Sequence, residues 1–156
     1  MLKKVKATAT SRPGAHFAIV ASSYNARYVD GMLRAAQKTL RTARAATIKV
    51  VRVPGAYEIP VVAARLARTH SPPLDAILCL GVILRGATTH AQHIGEAVTN
   101  ALTQIQLQHE IPVIHEVLLF ENEEQARVRC LSRDHNRGAE AAQTALEMAR
   151  VMHGLP

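Results

Sequence analysis

Aromatic side chains are scarce in this chain. Of 156 residues only Phe17, Tyr24, Tyr28, Tyr57 and Phe120 carry one, and tryptophan is missing. Proteins that bind single-stranded nucleic acid stack bases on arrays of rings, and five scattered rings do not form such an array. Cysteine is equally sparse. Cys79 and Cys130 are too few for a disulfide framework and wrongly spaced for a zinc site, so a reduced, cytoplasmic setting is expected. Glycine and proline, 8 and 7 residues, are too few for a fibrous or low-complexity chain. No apolar run approaches the roughly 20 residues that cross a bilayer. The opening MLKKVKATATSRPG lacks the apolar segment of a secretory signal. No membrane role is expected.

What remains is the composition of an ordinary globular domain, 48% hydrophobic and 20% charged. The length suits one domain with a proper core. A formal net charge of +7 raises the question of a nucleic-acid partner. The basic residues, however, are spread from Lys3 to Arg52 and again from Arg127 to Arg137. That scatter reads as a solvated basic face, or one that attracts anionic metabolites, and no nucleic-acid partner is expected.

Apolar runs alternate with stretches of helical period along the chain. HFAIVAS (residues 16–22), TIKVVRV (47–53), AILCLGVIL (76–84) and IPVIHEVLL (111–119) read as strands. After the first, Tyr28, Val29, Met32, Leu33, Ala36 and Leu40 recur at helical spacing. YEIPVVAARLARTH resumes that pattern, with Pro60 tolerable only in a first turn. A long helix is predicted from about His90 to His109, and two more over residues 121–130 and 137–152. Strands apolar on both faces, each followed by a helix, imply a parallel sheet covered on both sides. Right-handed crossovers then give an α/β fold: a flavodoxin-like three-layer sandwich whose four strands run in the order 2-1-3-4. A flexible N-terminal arm is expected over residues 1–15 and a single domain over 16–156.

In such a sheet, ligands bind beyond the carboxyl ends of the strands. Three strands end unusually: in SSYN (22–25), VPGAYE (53–58) and RGATTH (85–90). Parallel topology brings these loops to one edge. Each has a plain structural reading. Asn25 is a good helix cap, Pro54-Gly55 is turn chemistry, and Glu58 suits the positive end of a helix. The functional readings are a flat face at Tyr24, an amide at Asn25, and polar groups around Ala56, Tyr57 and Glu58 for a polyhydroxylated ligand. RGATTH is the least ordinary of the three. Gly86 lets backbone approach a ligand, and Thr88, Thr89 and the free N–H groups of the next helix make an anion site. His90 at that helix start is able to exchange protons near neutral pH. His93 follows three residues later, but no carboxylate or cysteine completes a metal site, and no metal is expected.

Taken together, VPGAYEIP, GVILRGATTH and EQARVRC…NRGAEAAQTALEM resemble the signatures of the 6,7-dimethyl-8-ribityllumazine synthase family, over about residues 16–152. The resemblance implies condensation of 5-amino-6-(D-ribitylamino)uracil with 3,4-dihydroxy-2-butanone 4-phosphate, the penultimate step of riboflavin formation, with no cofactor. By position, Tyr24 would stack on the pyrimidine, where the family usually has Phe or Trp, and Asn25 follows it in the motif. Ala56, Tyr57 and Glu58 would hold the ribityl chain, and Val82, Ile83 and Leu84 would line the ring edge. Gly86, Ala87, Thr88, Thr89 and Arg129 would hold phosphate, and His90 would shuttle protons. The resemblance also implies a homopentamer with each site between adjacent subunits, Arg129 and His115 coming from the neighbour. Twelve pentamers form a hollow 60-subunit shell in some members, and the sequence leaves that open.

The chain departs from the family pattern after the fourth strand. His115 stands where an aromatic or bulky apolar residue is usual, bringing a polar, titratable ring to the pyrimidine. Arg137 stands where the family has Lys or another polar residue. Two alternatives remain on the same scaffold: a non-catalytic flavin or lumazine binder, and a basic nucleic-acid module.

Overall fold

The computed structural model describes residues 13–156. Four strands, β1 (His16–Ser22), β2 (Thr47–Val53), β3 (Ala76–Leu84) and β4 (Val113–Phe120), form one sheet in the order β2-β1-β3-β4. All pairs are parallel, with Phe17 opposite Ala76, Cys79 opposite His115 and Leu84 opposite Phe120. Five helices connect and cover it: α1 (Ala26–Thr42), α2 (Ile59–Thr69), α3 (His90–His109), α4 (Glu123–Leu131) and α5 (Arg137–His153). The expected α/β sandwich and strand order are present.

Alternation along the strands sorts the core into two layers. Phe17, Ile19, Leu78 and Leu80 pack under α1, α4 and α5. Ala18, Val20, Ile77 and Cys79 pack under α2 and α3. β3 is buried almost throughout because it is central and covered on both faces. β2 departs from the expected double burial. It lies at the sheet edge, and Thr47, Lys49 and Arg52 are exposed.

Small residues set how closely the helices lie. α5 buries Ala141, Ala142, Ala145 and Ala149 against the α1 side of the core, and a Cβ on Gly138 would overlap the Met32 carbonyl. Asn136 caps α5 by accepting from the Gly138 N–H at 2.9 Å. Its amide also donates to Cys130 O at 2.7 Å and Gly31 O at 3.3 Å, joining α4, α1 and α5. Pro60 falls in the first turn of α2, as expected.

The arm expected over residues 1–15 falls, for residues 1–12, outside the described residues. Gly14 and Ala15 are tied to the domain: Gly14 N–H donates to Arg44 O, and Ala15 O accepts from Ala46 N–H.

Candidate active site

The carboxyl ends of β1, β2 and β3 meet the start of α3 around a concavity of about 630 Å³. Tyr24 and Asn25 reach it from the β1 end, and Ala56, Tyr57 and Glu58 from the β2 end. Val82, Ile83 and Leu84 come from β3, and His90 from α3. Nine of the residues singled out in the sequence thus line one space. The topology accounts for this: parallel strands place every strand-to-helix loop at one edge.

Local geometry explains how each group is held. Asn25 adopts the left-handed conformation (φ 57°, ψ 39°) and makes no side-chain cap to α1. Its amide donates instead to Val82 O at 2.8 Å, fastening the β1 turn to β3. Tyr24 is 68% exposed and its ring lies over Gly55. A Cβ at Gly55 would sit 2.9 Å from both the ring and Glu58 Oε2, so one or both side chains would have to turn aside to admit it. Glu58 Oε2 accepts from the Gly55 N–H at 2.8 Å, closing the single 3-10 turn Ala56–Glu58 that precedes α2. Tyr57, 65% exposed, projects from that turn.

The bridge from β3 to α3 is exposed from Arg85 through His90. Arg85 fixes its start: the backbone N–H donates to Phe120 O at 2.9 Å, and Nε pairs with Glu121 at 2.7 Å. Gly86 has open space where a side chain would stand. Thr88 Oγ1 accepts from the His90 N–H at 3.4 Å, and Thr89 precedes the helix without a side-chain cap. Gly86, Ala87, Thr88 and Thr89 are not among the residues that line the concavity, although they connect Leu84 to His90, which are.

Arg129 and His115 lie elsewhere. Arg129 lines a second concavity, about 350 Å³, with Phe120, Glu124, Gln125 and Val128. His115 is half-buried on β4, and burial holds its imidazole below the usual value. Its Nε2 lies 2.7 Å from Thr99 Oγ1 and its Nδ1 accepts from the Val117 N–H at 3.2 Å. Arg137 meets Glu116 with two parallel bonds of 3.0 and 2.9 Å and reaches Glu140 at 2.7 Å. Glu116 and Arg137 thereby join β4 to α5.

Several lining residues escaped the sequence reading. Ile94 and Ala97 share the wall with His90, as does His93, which the sequence reading noticed but gave no role, and their spacing of three, four and seven residues is the helical signal that would find them. Gly55 lines the concavity too, but only the fold reveals its contact with Tyr24. Among the described residues, no group of three or more His, Cys, Asp or Glu is placed to hold a metal ion. No helix of the described residues is long and apolar enough to cross a membrane.

Known proteins with similar sequences bear on this geometry. The profile of the 6,7-dimethyl-8-ribityllumazine synthase family matches residues 14–153. A 6,7-dimethyl-8-ribityllumazine synthase of Stenotrophomonas maltophilia is 42% identical over 144 residues, covering 91% of this chain and 92% of that protein. One from Xanthomonas oryzae is 40% identical over 146 residues, covering 92% and 94%. One from Kineococcus radiotolerans is 39% identical over 144 residues, covering 91% and 88%. With a matched profile spanning nearly the whole described fold, the chain belongs to the 6,7-dimethyl-8-ribityllumazine synthase family.

Proposed function

We propose that this enzyme joins 5-amino-6-(D-ribitylamino)uracil to 3,4-dihydroxy-2-butanone 4-phosphate, releasing 6,7-dimethyl-8-ribityllumazine, phosphate and two waters. The observation that carries the reading is the meeting of Tyr24, the Ala56–Glu58 turn, the end of β3 and His90 around one concavity.

The chemistry asks little of the protein beyond placement. An amine of the pyrimidine attacks the ketone to give an imine, phosphate leaves, and the second nitrogen closes the ring. Holding two reactants in attacking geometry supplies much of the acceleration. Tyr24 offers a face to the pyrimidine, and Ala56, Tyr57 and Glu58 offer polar groups to the ribityl hydroxyls. The loop from Gly86 to Thr89 and the start of α3 present N–H groups to the phosphate. Arg129 adds a charge-assisted bond from a neighbouring subunit. His90 takes and returns the protons.

An assembly follows from the same reading. Arg129 opens into a different concavity from His90, so a complete site needs two chains, as in a ring of identical subunits. The exposed flank of α3 supports this. The helix carries a single charged residue, Glu96, in its 20 residues, and Leu107 is 71% exposed. We assign this face to the subunit contacts of a pentamer.

The test is to mix protein with both substrates and follow lumazine absorbance. Appearance of product with release of phosphate supports the reading. Binding of the product without turnover would replace it with a non-catalytic binder. Light scattering measures the assembly, with a mass of five chains or a multiple of five as the expected result.

A further inference from the structure

His115 has no free nitrogen. It sits on β4, an edge strand whose outward backbone donors have no neighbouring strand among the described residues. The N–H of Val117, two residues on, donates to His115 Nδ1 at 3.2 Å. Nδ1 therefore accepts and carries no hydrogen. In a neutral imidazole the other nitrogen must then be the donor. Nε2 lies 2.7 Å from Thr99 Oγ1 on α3, and the Thr99 hydroxyl spends its own hydrogen on Gly95 O at 2.8 Å. The four groups form a directed chain from the Val117 N–H through the ring and the Thr99 hydroxyl to the Gly95 carbonyl. Every donor has one acceptor, and no second arrangement of the hydrogens satisfies all of them.

We infer that Thr99 is a positioning residue that, with the Val117 N–H, holds His115 as a neutral ring in the Nε2–H tautomer, so that the ring meets a ligand only as a flat surface. Adding a proton at Nδ1 would set two N–H groups against each other and break the chain at its first link. The sequence alone suggests a titratable ring at this position; the hydrogen-bond geometry opposes its second proton.

The surrounding groups do not offset this. Cys79, opposite on β3, is buried with its thiol pushed up to about 12 and is therefore neutral. On α3, Glu96 accepts from Gln92, while His90 and His93 face the concavity described above; His109 ends the helix. On β4 itself, Glu116 is bound by Arg137. Burial is the largest influence on His115 and favours the uncharged form, outweighing an interaction with the residue's own backbone that favours the charged one. That the ring faces a neighbour's pyrimidine rests on the proposed function; its tautomer does not.

The test uses the full-length assembly labelled with 15N-histidine, with H115F serving only to identify the His115 signals. The wild type should show an unprotonated Nδ1 and a protonated Nε2 at neutral pH, and should take up its second proton at lower pH than free imidazole does. Thr99→Val removes the acceptor of the Nε2–H, so its His115 signals should show a mixture of the two neutral tautomers, whereas Thr99→Ser should match the wild type. In turnover assays T99V should raise KM for the pyrimidine several-fold with kcat little changed, and T99S should restore it. A wild-type His115 that titrates like free imidazole or above it, or that carries its hydrogen on Nδ1 at neutral pH, overturns the inference even if T99V does not fold. A protein without turnover that still shows the locked ring would remove the proposed function and leave the inference standing.

Discussion

A side chain on Gly55 would press on the Tyr24 ring and on Glu58 Oε2. Gly55→Ala should therefore act twice. Because both side chains can turn aside, stability should fall by only about 0.5–1 kcal/mol, read by chemical denaturation. The displaced ring should also raise KM for the pyrimidine, whereas a pure stability effect would leave KM unchanged in the folded fraction. His90 poses a different question, since most of the proposed acceleration comes from placement. Loss of a proton shuttle costs on the order of 10²-fold or more. His90→Ala should slow kcat by about that factor while leaving measurable turnover, checked by lumazine absorbance on protein of unaltered mass. A complete loss in a correctly assembled variant would mean that the imidazole does more than move protons.

Among the elements, the β4–α5 joint carries the most buried charge. Burial pushes the Glu116 carboxyl above the usual carboxylate range, although Arg137 pulls it down. A raised value in the fold means that the folded state favours the protonated acid. The associated stability is fully present below the unfolded carboxylate value and is lost as pH rises through the folded one. Wild type should thus gain on Glu116→Gln as pH falls from 7 towards the ordinary carboxylate range, measured by denaturation at several pH values; a constant difference would refute it. This joint also marks where sequence reading stops. β1, β2 and β3 were legible as apolar or β-branched runs with sharp ends, and α3 by its period. β4 begins two residues later than its apolar run, because Ile111 and Pro112 belong to the approach. The pairing of Glu116 with Arg137 spans 21 residues and that of Thr99 with His115 spans 16. Neither leaves a periodic trace, since both depend on which elements the fold lays side by side. Asn25 was legible as a cap candidate, yet its left-handed backbone sends the amide to β3 instead. Local preference yields there to a tertiary partner.

At the scale of the whole molecule, the proposed site is divided between faces of one chain: His90 lines one concavity and Arg129 another. Two crippled subunits should therefore repair each other. When His90→Ala and Arg129→Ala chains are unfolded together and reassembled in equal amounts, about a quarter of the sites should receive both native residues in a head-to-tail ring. Specific activity should then rise above that of either variant assembled alone. No rise in mixed particles of the right mass would place both residues in one subunit's site. The same division has an arithmetic consequence. An open row of n such chains encloses n − 1 complete sites, whereas joining its two ends adds the last one, so closure of the circle itself creates catalytic capacity that no single fold contains.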